Sequence, residues 1–114
     1  MHELSIAMSI VEIAEDYALR GNAGKVLEMD IEVGDMSGVV IDALEFALQE
    51  AVRNTRCEQA TWKIIQVHPV ARCPACGWEG AIDSPFTPCP DCGEYGLEII
   101  RGKELQLKSL VVDT

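Results

Sequence analysis

The sequence predicts an α+β fold: two helices packed on a small three-stranded sheet, with a four-cysteine module inserted late in the chain. Three observations predict it. Two stretches carry apolar residues at helical spacing, several carry strand alternation or strand composition, and a pair of Cys-x-x-Cys turns interrupts the strand-rich second half. With 114 residues, 48% of them hydrophobic, the chain can bury one core of ordinary size or one small core and an even smaller one.

Residues 4–20 read as an amphipathic helix. Leu4, Met8, Val11, Ala14 and Ala18 recur at helical spacing, and Ser5, Ser9, Glu12 and Asp16 form the opposite, wet face. Gly21-Asn22-Ala23-Gly24 supplies the stop. Leu27, Met29, Ile31 and Val33 then alternate with Glu28, Asp30 and Glu32, which makes a half-buried strand with one polar face. Gly34 to Gly38 is a turn in which Ser37 is placed to cap a second helix over residues 39–54. That helix has Leu44, Ala47, Leu48, Ala51 and Val52 on its apolar side. Thr61 to Val67 has strand composition, Leu97 to Ile100 is a short strand, and Glu104 to Val112 is a final one. Leu105, Leu107, Leu110 and Val112 are too apolar to hang free, so the last strand is expected to return to the first sheet. The expected domains are therefore discontinuous: residues 1–69 plus 103–114, with residues 70–102 inserted.

The inserted segment holds Cys73-Pro74-Ala75-Cys76-Gly77 and Cys89-Pro90-Asp91-Cys92-Gly93. Each turn aims two thiolates at one centre, and the glycine frees backbone N–H groups to approach the sulfurs. Facing each other, the turns make a tetrahedral S4 cage suited to Zn²⁺ or a mononuclear iron. The twelve residues between Cys76 and Cys89 are slightly fewer than a usual four-cysteine ribbon has but ample for a hairpin. A pair of disulfides is the alternative, and it suits a secreted protein. Nothing else here looks secreted: Met-His-Glu-Leu-Ser-Ile lacks the basic flank and apolar run of a signal peptide, and no stretch approaches ~18 apolar residues. The expected location is cytoplasmic, away from any membrane. A closed S4 site is saturated, so it explains folding rather than catalysis.

Charge narrows the partners. The formal net charge is −10, with 5 basic and 12 acidic side chains in residues 1–68 and 4 and 7 in residues 69–114. Neither part is a basic platform for nucleic acid, and aromatic residues to stack bases are scarce at 5%.

The second metal signal is His2. A lone histidine at a frayed terminus is the bland reading. The sharper one rests on chelate geometry: the Met1 α-amine, the His2 backbone nitrogen and the His2 Nδ1 close a five- and a six-membered ring around one ion. Three planar nitrogens suit square-planar Ni(II) or Cu(II) better than tetrahedral Zn(II). The Glu3 carboxylate would offset the unfavourable positive end of the first helix. His68, before Pro69, reads as a hinge or strand-end residue, and Cys57 as a small, partly buried apolar one.

Met1-His2-Glu3-Leu4-Ser5 opening a helix, Gly34-x-x-Ser37 before a second helix, the paired cysteine turns, and Gly102-Lys103-Glu104-Leu105 leading into Lys108-Ser109-Leu110 resemble the HypA/HybF family over essentially the full length. These are nickel-insertion accessory proteins of [NiFe]-hydrogenase maturation. The resemblance implies a nickel metallochaperone, not an enzyme, with a separate structural zinc site in a zinc-ribbon-like module. It implies exchangeable Ni(II) at His2 with support from Glu3, and Zn(II) at Cys73, Cys76, Cys89 and Cys92. Its implied partners are a HypB-type GTPase and the [NiFe]-hydrogenase large-subunit precursor, and the expected state is a monomer or weak homodimer. Some relatives also supply a carboxylate near the start of the second helix; this sequence has Val40 there, with Asp35 and Asp42 as neighbours, so the fourth nickel donor stays open. Two rivals are a rubredoxin-like Fe(Cys)4 electron carrier and a zinc-ribbon interaction module. The first leaves both helices and His2 unexplained, and the net charge of −10 with only two Trp, two Tyr and two Phe weighs against the second.

Overall fold

A computed structural model describes residues 3–113 of the chain. Helix α1 spans Glu3–Arg20 and buries Ala7, Ile10, Val11, Ala14 and Ala18. This corrects the expected face at its start: Leu4 and Met8 are 49% and 57% exposed. Apolar residues ring much of this helix, so spacing alone admits more than one face. The side that packs is the one where three alanines allow close approach. Ser5, Ser9, Glu12 and Asp16 are exposed, as expected. The helix closes where the Ala23 N–H donates to Ala18 O at 2.8 Å, with Asn22 in the left-handed region at φ +55°.

Strand β1 covers Lys25–Gly34, helix α2 Ile41–Ala51 and strand β2 Thr61–Val67. In the cysteine segment lie β3 (Val70–Arg72), β4 (Glu79–Ala81) and β5 (Glu98–Arg101), and the chain closes with β6 (Leu105–Asp113). They form two three-stranded sheets, β2-β1-β6 and β4-β3-β5. In the first, β1 is central, parallel to β2 and antiparallel to β6. A parallel pair needs a crossover, and α2 lies within it. The final strand thus returns to the first sheet, and the cysteine segment is inserted between β2 and β6. The two short strands β3 and β4 had no separate sequence signal.

Alternation in β1 breaks at its start, because Leu27 is exposed while Val26 is buried. The register with β6 shifts between Val26 and Glu28, so Leu27 is the extra residue of a bulge. From Met29 onward Met29, Ile31 and Val33 face the core as the pattern requires. Helix α2 is shorter at both ends than the expected 39–54, and residues 52–54 form turns. Its N-cap is Val40, with no side-chain cap; Ser37 Oγ accepts from the Val39 N–H at 3.3 Å one turn earlier.

The larger core joins both helices to one face of the first sheet, with Leu44, Leu48, Met29 and Ile31 buried at its centre. Glu15 ties α1 to the loop after α2, accepting from the Arg56 N–H and, at 2.9 Å, from its guanidinium. A smaller core sits on the second sheet, built from Ala71, Cys73, Ile82, Cys89 and Leu97, with Met36, Trp78 and Ile99 packed against it.

Residues 34–36 connect the two. The Gly34 N–H donates to Glu104 O (2.7 Å), that of Asp35 to Val67 O (3.0 Å) and that of Met36 to Gly102 O (2.7 Å). Both chain crossings are thereby held at one point, and the Met36 side chain enters the smaller core. A Cβ on Gly34 would lie 2.1 Å from Gly102 O, so only glycine fits there.

Candidate metal centre

Two copies of one local structure build the cysteine cluster. In the first, the Gly77 N–H donates to Cys73 O (2.9 Å) and the Cys73 N–H to Trp78 O (2.7 Å). In the second, the Gly93 N–H donates to Cys89 O (2.8 Å) and the Cys89 N–H to Glu94 O (2.8 Å). Gly77 and Gly93 take φ +83° and +76°, a conformation that strains any L side chain. The first cysteine of each turn is buried and the second exposed. The two turns face each other across the smaller core, and all four Sγ atoms lie within 4.8 Å of one another. Cys73 Sγ to Cys92 Sγ and Cys76 Sγ to Cys89 Sγ are each 3.6 Å.

Those separations match an S4 tetrahedron, whose edge is about 3.8 Å for Zn–S bonds of about 2.3 Å. They are far longer than a disulfide bond of about 2.05 Å, and all five cysteines are free. The electrostatics of the donor set point the same way. The Cys76 N–H, donating to Cys73 sulfur, is the main influence that holds the Cys73 thiol down to about 7, against desolvation and with help from the Ala75 N–H. The Trp78 N–H favours a thiolate at Cys76, but desolvation and the sulfurs of Cys89, Cys73 and Cys92 outweigh it and push that thiol up to about 12. Cys92 is raised too: the Glu94 N–H lowers it, while desolvation and the sulfurs of Cys73 and Cys89 prevail. Four sulfurs this close cannot all ionise beside one another without a cation between them, so the residues fit a thiophilic dication.

Elsewhere the expected residues are dispersed. The donors expected at Met1 and His2 lie outside the described residues, and Glu3 is the first residue of α1, partly exposed. Among the described residues the four cysteines are the one group of three or more metal-capable side chains. Cys57 is fully buried, where partial burial was expected. Burial, aided by the Glu15 charge and opposed by the Thr55 hydroxyl, pushes its thiol up to about 11, which makes it a poor nucleophile. His68 is a strand-end residue, as its position before proline indicates, and its Nδ1 lies 2.8 Å from Asp35 Oδ2. That pairing was not legible in the sequence, where the two are 33 positions apart; nor was the packing of Met36 and Trp78 beneath the cysteines.

No helix among the described residues is long and apolar enough to cross a membrane. Residues 1–112 match the family model described as "Hydrogenase/urease nickel incorporation, metallochaperone, hypA". The chain is 42% identical over 112 residues to a protein of Parabacteroides distasonis named hydrogenase maturation factor HypA, covering 98% of this chain and 97% of that one. It is also 42% identical over 113 residues to a protein of the same name from Geobacter metallireducens, covering 99% and 100%. Among solved structures it is similar in fold to the Ni metallochaperone HypA of Helicobacter pylori, with a TM-score of 0.75 at 22% identity over 98% of this chain and 97% of that one. The chain belongs to the HypA family of hydrogenase and urease nickel-incorporation metallochaperones, which act in hydrogenase maturation.

Proposed function

We propose that this protein binds Ni(II) at its amino terminus and delivers it to the large-subunit precursor of a [NiFe]-hydrogenase, while a structural Zn(II) holds the cysteine module together. The observation that carries the reading is the closed cluster of four sulfurs within 4.8 Å, in a chain matched to the family over residues 1–112. A cluster with all its donors turned inward is suited to permanence, so cargo must be held elsewhere. Cys73, Cys76, Cys89 and Cys92 would hold zinc, which supplies folding energy rather than Lewis-acid chemistry. The Met1 amine, the His2 backbone nitrogen and the His2 imidazole would hold nickel, with Glu3 in support.

On this reading residues 1–69 plus 103–114 form the nickel-binding domain and residues 70–102 the zinc-binding domain. The bonds at residues 34–36 support a boundary there, because both crossings pass through them. A planar three-nitrogen chelate leaves a coordination position for exchange, as delivery requires, and the protein performs no catalysis of its own. A HypB-type GTPase is the proposed partner in the transfer, with the chaperone a cytoplasmic monomer or weak homodimer that binds neither nucleic acid nor membrane. The net charge of −10 agrees with the last point.

Substitution of the terminal donors tests this. His2→Ala should abolish tight nickel binding and leave zinc content and fold unchanged, and a residue appended before Met1 should weaken binding. Protons compete for a free imidazole and α-amine at about 6.5 and about 7.7–8.0, so affinity should fall on acidification. Affinity that is flat from about pH 7.5 to about pH 6, or indifferent to a blocked amine, would contradict the amine–amide–imidazole chelate.

A further inference from the structure

We infer that the four cysteines are also a peroxide-responsive site. Hydrogen peroxide converts them to two disulfides that run between the turns, Cys73–Cys92 and Cys76–Cys89, and the metal is released while the module keeps its shape. The inference rests on the structural-zinc reading above and adds to it a second, oxidised state of the same sulfurs.

The starting point is how the sulfurs are paired. The hydrogen-bonded sulfur pairs are Cys73 with Cys92 and Cys76 with Cys89, each at 3.6 Å. Both cross from one turn to the other. Each joins a buried cysteine to an exposed one: Cys92 and Cys76 are open to solvent, whereas Cys73 and Cys89 are 2% exposed. An oxidant therefore meets the outer sulfur of a pair, and the inner sulfur lies behind it, shielded from the oxidant. A disulfide bond is about 2.05 Å, so each pair has to close by about 1.5 Å.

The chemistry balances within each pair. Bound to a dication, the sulfurs are thiolates, the form that attacks a peroxide. The outer thiolate takes one oxygen from hydrogen peroxide, becoming a sulfenic acid and expelling hydroxide, which a proton turns to water. The inner thiolate then attacks that sulfur, the S–O bond breaks, and the hydroxide leaves with another proton as a second water. One pair thus consumes one peroxide and two protons and gives one disulfide and two waters. Sulfur is oxidised and peroxide oxygen is reduced. Once both pairs have reacted, no thiolate is left to hold the metal.

Linkage between turns keeps what the metal provides. Cys73 follows β3 and lies with Cys89, Ala71, Ile82 and Leu97 in the smaller core, against which Met36 packs. Bonds from Cys73 to Cys92 and from Cys76 to Cys89 tie the two halves of that core together, whereas bonds within a turn would leave the halves free to part. The partners are 19 and 13 positions apart, against three within a turn, so links between turns also restrict the unfolded chain more. A thiol reductant reverses both links by exchange. Cys57 takes no part, being fully buried and outside the cluster.

The test titrates hydrogen peroxide into untagged full-length protein loaded with zinc. Free zinc, thiols counted in denaturant, circular dichroism and the disulfide map are read together. About two peroxides per chain should release one zinc and lower the thiol count from five to one, the survivor being Cys57. Cleavage before Asp83 and Asp91 separates Cys89 from Cys92 and both from the first turn. Fragmentation of the linked peptides should then give Cys73–Cys92 and Cys76–Cys89. The circular dichroism spectrum should be kept, and a thiol reductant with added zinc should restore the starting state. Links within each turn, links of Cys73 to Cys89 and Cys76 to Cys92, or sulfinic and sulfonic acids in place of disulfides would overturn the inference. So would zinc retained under a large excess of peroxide, or loss of the dichroism spectrum on oxidation. If the untreated protein carries no zinc, the structural-zinc reading fails by itself, and the map made from metal-free protein still decides the linkage.

Discussion

Replacing Cys89 by alanine removes one of the two buried sulfurs of the cluster and should unfold the cysteine module while sparing the rest. The module's own apolar core is small. Ile82 and Leu97 are its buried large side chains, with Met36, Trp78 and Ile99 partly buried against them. Fully burying an isoleucine or leucine contributes about 1.5–3 kcal/mol, so the two supply about 3–6 kcal/mol. Structural zinc in small peptides supplies about 10–16 kcal/mol near neutral pH. The metal term is the larger, and losing one ligand of four should leave residues 70–102 without enough to fold. The larger core is a separate set of residues, and β6 can still pair with β1 across an unfolded connection of roughly 35 residues, since closure cost grows by only about 0.6 kcal/mol per doubling of length. The assay is zinc content together with backbone NMR and thermal unfolding. Amide dispersion should be lost for the cysteine segment and kept for β1, β2 and β6. A Cys89→Ala protein with one equivalent of zinc and its full transition would refute the structural-zinc assignment, and collapse of the whole chain would refute the independence of the two cores.

Gly34→Ala should destabilise the protein by about 1–3 kcal/mol or more, read from chemical denaturation, because its Cβ would meet Gly102 O at 2.1 Å and force apart the point where both crossings are held. The Cys57 thiol is raised from 9.0 to about 11 on folding, so its contribution to stability is fully present below about pH 9 and is lost as pH rises through about 11. Cys57→Ala should flatten that part of the stability-against-pH curve. Zinc affinity should rise with pH, because the raised thiols of Cys76 and Cys92 must give up protons to bind; proton release on zinc loading, measured by calorimetry in buffers of different ionisation enthalpy, checks this.

The features that sequence conveyed best are those set by local spacing. The pair of Cys-x-x-Cys-Gly turns announced the geometry of the four-sulfur cluster, since each turn is closed by bonds within seven residues. The long first helix, the alternation from Met29 to Val33 and the return of the last strand were legible for the same reason: pattern and period suffice. What was not legible depends on a partner far along the chain. Leu27 is turned out by a bulge whose register is fixed by β6, and Leu4 and Met8 lose the core to alanines because the sheet selects the helix face. Ser37 had the chemistry of a cap, yet the helix starts three residues beyond Gly38, and its hydroxyl serves the preceding turn. The approach of His68 to Asp35 follows from the parallel register of β1 and β2, which no local pattern encodes.

The central claim is that nickel and zinc occupy different donors on different parts of one chain. Titrating Ni(II) into untagged, zinc-loaded protein while following free zinc with a chromogenic chelator tests it most directly. The four-sulfur cluster is closed and the proposed nickel donors are not among its cysteines, so about one nickel should bind per chain with no zinc released. Release of one zinc for each nickel bound would mean that the four cysteines are the only site, and would contradict the account.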